Sequence, residues 1–165
     1  HLSDRRQRQM CIRDSPITEM ITRIDLVREQ ICIASGEKIF TNQDNIKPLG
    51  HSIECRINAE NPETFQPSAG QVQMYHAPAG NGIRLDTFIY SGYKVPHYYD
   101  NLLAKLIATG RTRNHAIKRA LRALNEMVID GIQTNIELHK KILSSNDFKL
   151  GAVPINWLED NINKI

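Results

Sequence analysis

From His51 to Glu60 the chain alternates without a break. Ile53, Cys55, Ile57 and Ala59 fall on one side, and Glu54, Arg56, Asn58 and Glu60 on the other. Successive side chains of a strand point to opposite faces, so this segment reads as a strand with one buried and one polar face. Such a strand needs sheet neighbours and a second layer over its apolar side. The cover is found further along. Ile117, Ala120, Leu121, Leu124, Met127 and Val128 follow one another at i, i+3, i+4, i+7, i+10 and i+11, the sharpest helical stripe in the sequence. Thr112 is placed to cap that helix and Gly131 to end it.

The punctuation between these segments orders the rest. Gln71–His76, Ile83–Tyr90 and Leu102–Thr109 read as further strands, the first two divided by Ala77-Pro78-Ala79-Gly80-Asn81-Gly82. Thr22-x-x-Asp25 has the form of a capping box and opens a helix over 23–35 carrying Ile24, Val27, Ile31 and Ala34, with Gly36 as its stop. Residues 37–50 read as a loop. Thr134-x-x-Glu137 caps a shorter helix ending near Ser144, and a last short helix runs over 156–163. Strands in succession followed by helices predict an α+β fold with a largely antiparallel sheet and packed helices.

Charge narrows the partners. Lys and Arg number 21 against 18 Asp and Glu, a net charge of +3. Arg5, Arg6, Arg8 and Arg13 against Asp4 and Asp14 place most of that excess in residues 1–15. Without them there is no electrostatic case for nucleic acid, and none is expected as a partner. No apolar run approaches the roughly 18 residues needed to cross a bilayer, and no secretory h-region opens the chain, so no membrane partner is expected either. Cys11, Cys32 and Cys55 have neither CxxC nor zinc-ligand spacing. They read as free thiols, and the expected location is the cytoplasm.

Residues 5–15, Arg-Arg-Gln-Arg-Gln-Met-Cys-Ile-Arg-Asp-Ser, resemble a translated sequencing adapter. The codons CGT CGG CAG CGT CAG ATG TGT ATA AGA GAC of a transposon end encode Arg5 to Asp14 in frame. Residues 1–15 are therefore expected to be non-native and are set aside from fold reasoning. The native part is expected to begin at Pro16, as a piece of a longer chain.

Two stretches are candidates for chemistry. Arg56, between Glu54 and Glu60 on the polar strand face, offers a planar, permanently charged donor fork to a carboxylate or a developing oxyanion, with the carboxylates to hold it. The plain alternative is a solvated sheet face with ordinary ion pairs worth about 0–1 kcal/mol each. Gly92-Tyr93-Lys94-Val95-Pro96-His97-Tyr98-Tyr99-Asp100 either lines a pocket beside the sheet or forms an aromatic turn over the core edge. His51, His76, His97, His115 and His139 do not cluster, and His115 and His139 fall on predicted helix surfaces. No triad order, P-loop or dinucleotide fingerprint is present. Spacing alone leaves the reaction open.

Four stretches go further. Pro-Ile-Thr-Glu-Met-Ile-Thr (16–22), Gly-His-Ser-Ile-Glu-Cys-Arg-Ile-Asn-Ala-Glu (50–60), Tyr-Lys-Val-Pro-His-Tyr-Tyr-Asp-Asn-Leu-Leu-Ala-Lys-Leu-Ile (93–107) and Asp-Gly-Ile-Gln-Thr-Asn (130–135) are colinear with the C-terminal third of biotin carboxylase. From Pro16 to about Glu159 the chain resembles that family, most of all the separate-subunit type of bacterial acetyl-CoA carboxylase. The resemblance implies three segments: the adapter-like 1–15, the end of an ATP-grasp domain over 16–49, and the biotin carboxylase C-terminal domain over 50–165. It implies a ligase that makes carboxyphosphate from ATP and bicarbonate with Mg²⁺ or Mn²⁺, then carboxylates N1 of biotin on a biotin carboxyl carrier protein, the first half-reaction of acetyl-CoA carboxylase in fatty acid synthesis. Carboxyltransferase subunits and a second copy of the chain are the further partners implied.

The resemblance also assigns residues. Arg56 corresponds to the cation that meets the negative ureido oxygen of biotin and is the catalytic and biotin-binding candidate. Asp100 corresponds to a residue of the same cleft, Ile155 to one near the adenine pocket, and Arg84 to one at the subunit interface. The departures are equally definite. The family's R-x-Q-V-E-H run, which binds bicarbonate and supplies the base, is replaced here by Met10-Cys11-Ile12-Arg13-Asp14-Ser15. The metal-binding carboxylates, nucleotide lysines and glycine-rich lid belong upstream of Pro16. Arg23 replaces a usual Gly, and Asn156 a frequent His. The chain alone is therefore expected to bind no cofactor and to be inactive. Two alternatives stay open: a non-catalytic dimerisation or interaction module, and the biotin carboxylase domain of another acyl-CoA carboxylase or of pyruvate carboxylase.

Overall fold

The computed structural model describes residues 15–151 and 153–162, so the adapter-like segment lies outside the described residues except for Ser15. In chain order the elements are α1 (Ile17–Thr22), α2 (Leu26–Ala34), a single 3-10 turn (Gln43–Asn45), β1 (His51–Asn58), β2 (Gly70–Gln71), β3 (Met74–His76), β4 (Ile83–Thr87), β5 (Lys94–Val95), β6 (Leu102–Gly110), α3 (Arg113–Glu126), β7 (Val128–Asp130), α4 (Ile136–Ser144), α5 (Asn146–Leu150) and α6 (Trp157–Asn161). The fold is α+β, as predicted, and every strand pair is antiparallel.

The main sheet has the order β1-β6-β4, with two small ribbons, β2-β5 and β3-β7, beside it. β6 is central because its run Leu-Leu-Ala-Lys-Leu-Ile-Ala buries residues on both faces: Leu103, Ala104, Leu106, Ile107 and Ala108 are all buried. α3 covers one face with Ala116, Ile117, Ala120, Ala123 and Leu124, all within 1% of full burial. Its alanines let helix and sheet approach closely. Gly110 is the extreme case, since a Cβ there would stand 2.6 Å from the backbone nitrogen of Ala116. Thr112 caps α3 as predicted, accepting from the His115 N–H at 3.2 Å.

Several boundaries differ from the sequence reading for identifiable reasons. Thr22 closes a helix rather than opening one: its hydroxyl donates to the Thr18 carbonyl at 2.6 Å, and Arg23 follows in the left-handed region at φ 63°. The cap of α2 is Asp25, which accepts from the Arg28 N–H at 2.9 Å. The expected strand 71–76 is two strands, because residue 72 turns away from β3 to bond Tyr93 and Gly92. The expected strand 83–90 ends at Thr87, whose hydroxyl accepts from Ile89 N–H at 3.3 Å. The helical stripe stops at Glu126; Val128 begins β7, which pairs with Met74–His76. Asn135, not Thr134, occupies the N-cap position of α4.

Candidate functional site

Strand register sets the polar face of the sheet in rows. In one row Glu54 of β1 stands opposite Ile107 of β6, which stands opposite Arg84 of β4. In the next, Arg56 faces Lys105, which faces Asp86. α1 and the residues just before it are tied to both ends of the first row: the Ser15 hydroxyl donates to Glu54 Oε2 at 2.5 Å, and Arg84 Nη1 lies 3.7 Å from Glu19 Oε2 of α1. Ile107, between those ties, is fully buried. In the second row Arg56 is exposed.

Arg56 therefore projects from the sheet face that the alternation predicted. The two carboxylates expected to hold it are both engaged elsewhere, which corrects that expectation. Glu54 Oε2 accepts from Ser15, the last residue of the adapter-like segment, and its Oε1 is buried and unpartnered. Glu60 is not on the polar face at all. A register shift between Ile57 and Asn58 turns the end of β1, and Glu60 is buried with 8% exposure. Among the described residues the Arg56 guanidinium makes no hydrogen bond or ion pair. Its cross-strand partner Lys105 lines a shallow cavity of about 290 Å³ together with Asp86, Thr87, Phe88, Leu102 and Leu103.

The backbone of Arg56 is held far more closely than its side chain. Asn135, 5% exposed, donates from Nδ2 to the Arg56 carbonyl at 3.2 Å and to Glu60 Oε1 at 3.0 Å, while its Oδ1 accepts from the Asn58 N–H at 3.0 Å. Glu60 Oε2 accepts from Asn58 Nδ2 at 3.3 Å and Asn101 Nδ2 at 2.8 Å. His139, expected on a solvated helix surface, is half-buried, and its Nε2 lies 2.9 Å from the Arg56 carbonyl. Burial pushes its pKa down, against a smaller upward pull from that carbonyl and from Glu60. Sequence reasoning missed Asn135 and Lys105 because neither stands out in local spacing; only the pairing of distant segments brings them to β1.

The other predicted residues are scattered over the surface. Asp100 is exposed and accepts from the Leu102 N–H at 3.0 Å, fixing the start of β6, whose Leu102 pairs with Asn58. Tyr98 and Tyr99 before it are 83% and 81% exposed and cover no core, so the aromatic turn over the core edge is not formed by them. Arg84 forks onto Asp86, with Nε–Oδ1 at 2.8 Å and Nη2–Oδ2 at 2.9 Å, and that pair holds its pKa up. Ile155 is fully exposed ahead of α6. His115 is exposed on α3, as predicted. Among the described residues no group of three or more His, Cys, Asp or Glu is placed to hold a metal ion, and no helix is long and apolar enough to cross a membrane.

An antiparallel three-stranded sheet covered by a helix, with an arginine on its open face, is the frame of a carboxylase domain when set beside known proteins. The family model described as "Biotin carboxylase C-terminal domain" matches residues 54–160. The chain is 48% identical over 149 residues to the biotin carboxylase of Pseudomonas aeruginosa, covering 90% of this chain and 33% of that protein. It is 44% identical to a pyruvate carboxylase subunit of Methanothermobacter thermautotrophicus, covering 89% of this chain and 30% of that one. Among solved structures, the biotin carboxylase domain dimer of the Hydrogenobacter thermophilus 2-oxoglutarate carboxylase, in complex with MgADP, ADP and bicarbonate, superposes with a TM-score of 0.86 at 42% identity over 90% of this chain and 33% of its own. The chain belongs to the biotin carboxylase family and carries its C-terminal domain. It spans about a third of the length of the relatives it matches.

Proposed function

We propose that the complete protein is an ATP-dependent biotin carboxylase, and that this chain contributes the cation that meets the biotin ureido oxygen, Arg56. The observation that carries this reading is the second row of the sheet. Arg56 and Lys105 stand directly opposite each other, and like charges so placed repel. No carboxylate among the described residues pairs with Arg56. An exposed guanidinium with no carboxylate partner among the described residues is open to an anion, and its planar fork presents two parallel donors to one oxygen-bearing group. When bound, biotin supplies a ureido oxygen that gains negative charge as its N1 proton leaves, and Arg56 stabilises that charge.

The division of labour follows the sequence reading. Residues 16–49 end an ATP-grasp domain and 50–165 form the C-terminal domain. Support comes from α2 and the loop after it, where Ile31, Ile39 and Phe40 are 66%, 59% and 76% exposed, an apolar face without a described partner. Mg²⁺ or Mn²⁺, bicarbonate and most of ATP are held by the rest of the protein; the chain alone neither cleaves ATP nor carboxylates biotin, and bicarbonate-dependent ATP turnover by it would contradict this. Asp100 borders the biotin cleft, where it holds the turn beside Asn58. Ile155, with its side chain exposed, contributes to the adenine pocket. Arg84, on the edge strand β4, belongs to the interface of a homodimer. A biotin carboxyl carrier protein and carboxyltransferase subunits are the further partners, and the acyl group served is that of acetyl-CoA. The reaction is placed in the cytoplasm.

A structure of the complete enzyme with biotin tests the reading. The ureido oxygen is expected within hydrogen-bond reach of the Arg56 guanidinium, about 3 Å. Biotin seated with that oxygen facing another cation would overturn it.

A further inference from the structure

Resting on that reading of Arg56, we propose that Asn135 is its positioning residue, a side-chain amide that takes the place of a neighbouring strand on the outer edge of β1. In the order β1-β6-β4, β1 has a free edge, and its outward carbonyl at 56 and N–H at 58 have no strand to meet. The Asn135 amide meets both, donating to the first at 3.2 Å and accepting from the second at 3.0 Å. The Asn135 N–H adds a bond to the Asn58 carbonyl at 3.3 Å. The contact falls where the ladder to β6 shifts register, between Ile57 and Asn58, so the bracing is supplied where regular pairing gives out.

Two further observations separate this role from ordinary helix capping. Asn is a favoured N-cap residue, and Asn135 stands at the N-cap position of α4, yet its side chain makes no capping bond. The amide is spent on β1 instead. Its remaining N–H is given to Glu60, itself fixed by Asn58 and Asn101, so the amide plane cannot rotate without breaking a buried bond. His139, one turn further along α4, closes on the same Arg56 carbonyl at 2.9 Å. The peptide that follows Arg56 is thus held by Asn135 and His139 while the Arg56 side chain is exposed. This bracing fixes the stretch of main chain from which the Arg56 side chain departs. A misplacement of about 1 Å at such a group costs on the order of a hundredfold in rate.

The test uses the complete enzyme and compares biotin carboxylation with ATP cleavage measured without biotin. Asn135→Ser leaves a favoured N-cap residue type at the start of α4 but is too short to span Arg56 and Asn58; Asn135→Ala removes the polar side chain altogether. Each is expected to lower biotin carboxylation at least about tenfold more than ATP cleavage. In an Arg56→Ala background neither is expected to add a further selective loss, because the group being positioned is gone. Thermal unfolding fixes an assay temperature below the midpoint of every variant. Equal losses in both reactions, or an undiminished selective loss in the Arg56→Ala background, would overturn the positioning role. If Arg56→Ala is selective and Asn135→Ser is not, this inference alone fails. If Arg56→Ala itself affects both reactions equally, the oxyanion reading fails and takes this inference with it.

Discussion

Arg56 and Lys105 are direct partners across the β1-β6 ladder, two cations side by side on one sheet face. Other charged groups on this face are paired. Arg84 is forked onto Asp86, and Glu54 is taken by Ser15. Arg56 is the exception, held through its backbone and left open at its side chain.

Arg23 is the one helix-ending residue whose conformation argues against its identity. At φ 63° and ψ 24° it occupies the left-handed region, which costs a residue with a Cβ about 1–2 kcal/mol and glycine very little. Part of the gain from glycine is lost to its greater freedom when unfolded, about 0.5–1 kcal/mol. Arg23→Gly is therefore expected to stabilise the protein by up to about 1 kcal/mol, read as a higher urea midpoint at unchanged slope. A lower midpoint would show that the arginine side chain contributes more than the turn costs.

Glu60 accepts from Asn58, Asn101 and Asn135 in a nearly dry setting. Truncating it strands those amide donors, and hydrogen bonds to a charged group are each worth about 1.5–3 kcal/mol. Glu60→Ala is expected to cost about 2–3 kcal/mol by urea unfolding. A loss below about 0.5 kcal/mol would mean that water takes over the carboxylate's role.

Cys55 points into the core from β1 with 2% exposure, and burial pushes its pKa up to about 12, with Glu54 adding to the rise. Cys32 is partly exposed on α2. In the native protein a thiol reagent is expected to label Cys32 while Cys55 reacts only on unfolding. Equal rates at the two sites would contradict the buried face of β1.

His139 is held neutral by burial, so its folded pKa lies below the ordinary value of 6.5. The unfolded chain then binds the proton more readily as pH falls, and stability drops from about pH 6.5 downward until the folded group is also protonated. His139→Gln, which can still donate to the Arg56 carbonyl, is expected to flatten that part of the stability profile. An unchanged slope between pH 7 and 5 would place the acid sensitivity elsewhere.

The buried face of β1, the central place of β6 and the stripe of α3 were legible because each is a local pattern with one physical solution. The break at Arg23 was not, since a left-handed turn at arginine has no signature in spacing; α1 went unread, and α2 was started at 23 instead of at Leu26. Glu60 was misplaced by one face because strict alternation does not foresee the register shift between Ile57 and Asn58, where Asn58 bonds Asn135, some 77 residues away. Arg56 itself lay in plain view, but the alternation showed only its face; that Lys105 stands opposite it came from register.

The central claim is that Arg56 acts on biotin rather than on ATP. In the complete enzyme, the rate of biotin carboxylation and the rate of bicarbonate-dependent ATP cleavage without biotin are measured side by side for the wild type and Arg56→Ala. Removing a single oxyanion-stabilising donor typically costs about a hundredfold to a thousandfold. The account predicts a loss of that order in carboxylation and a much smaller one in ATP cleavage. Equal losses in the two reactions would contradict it.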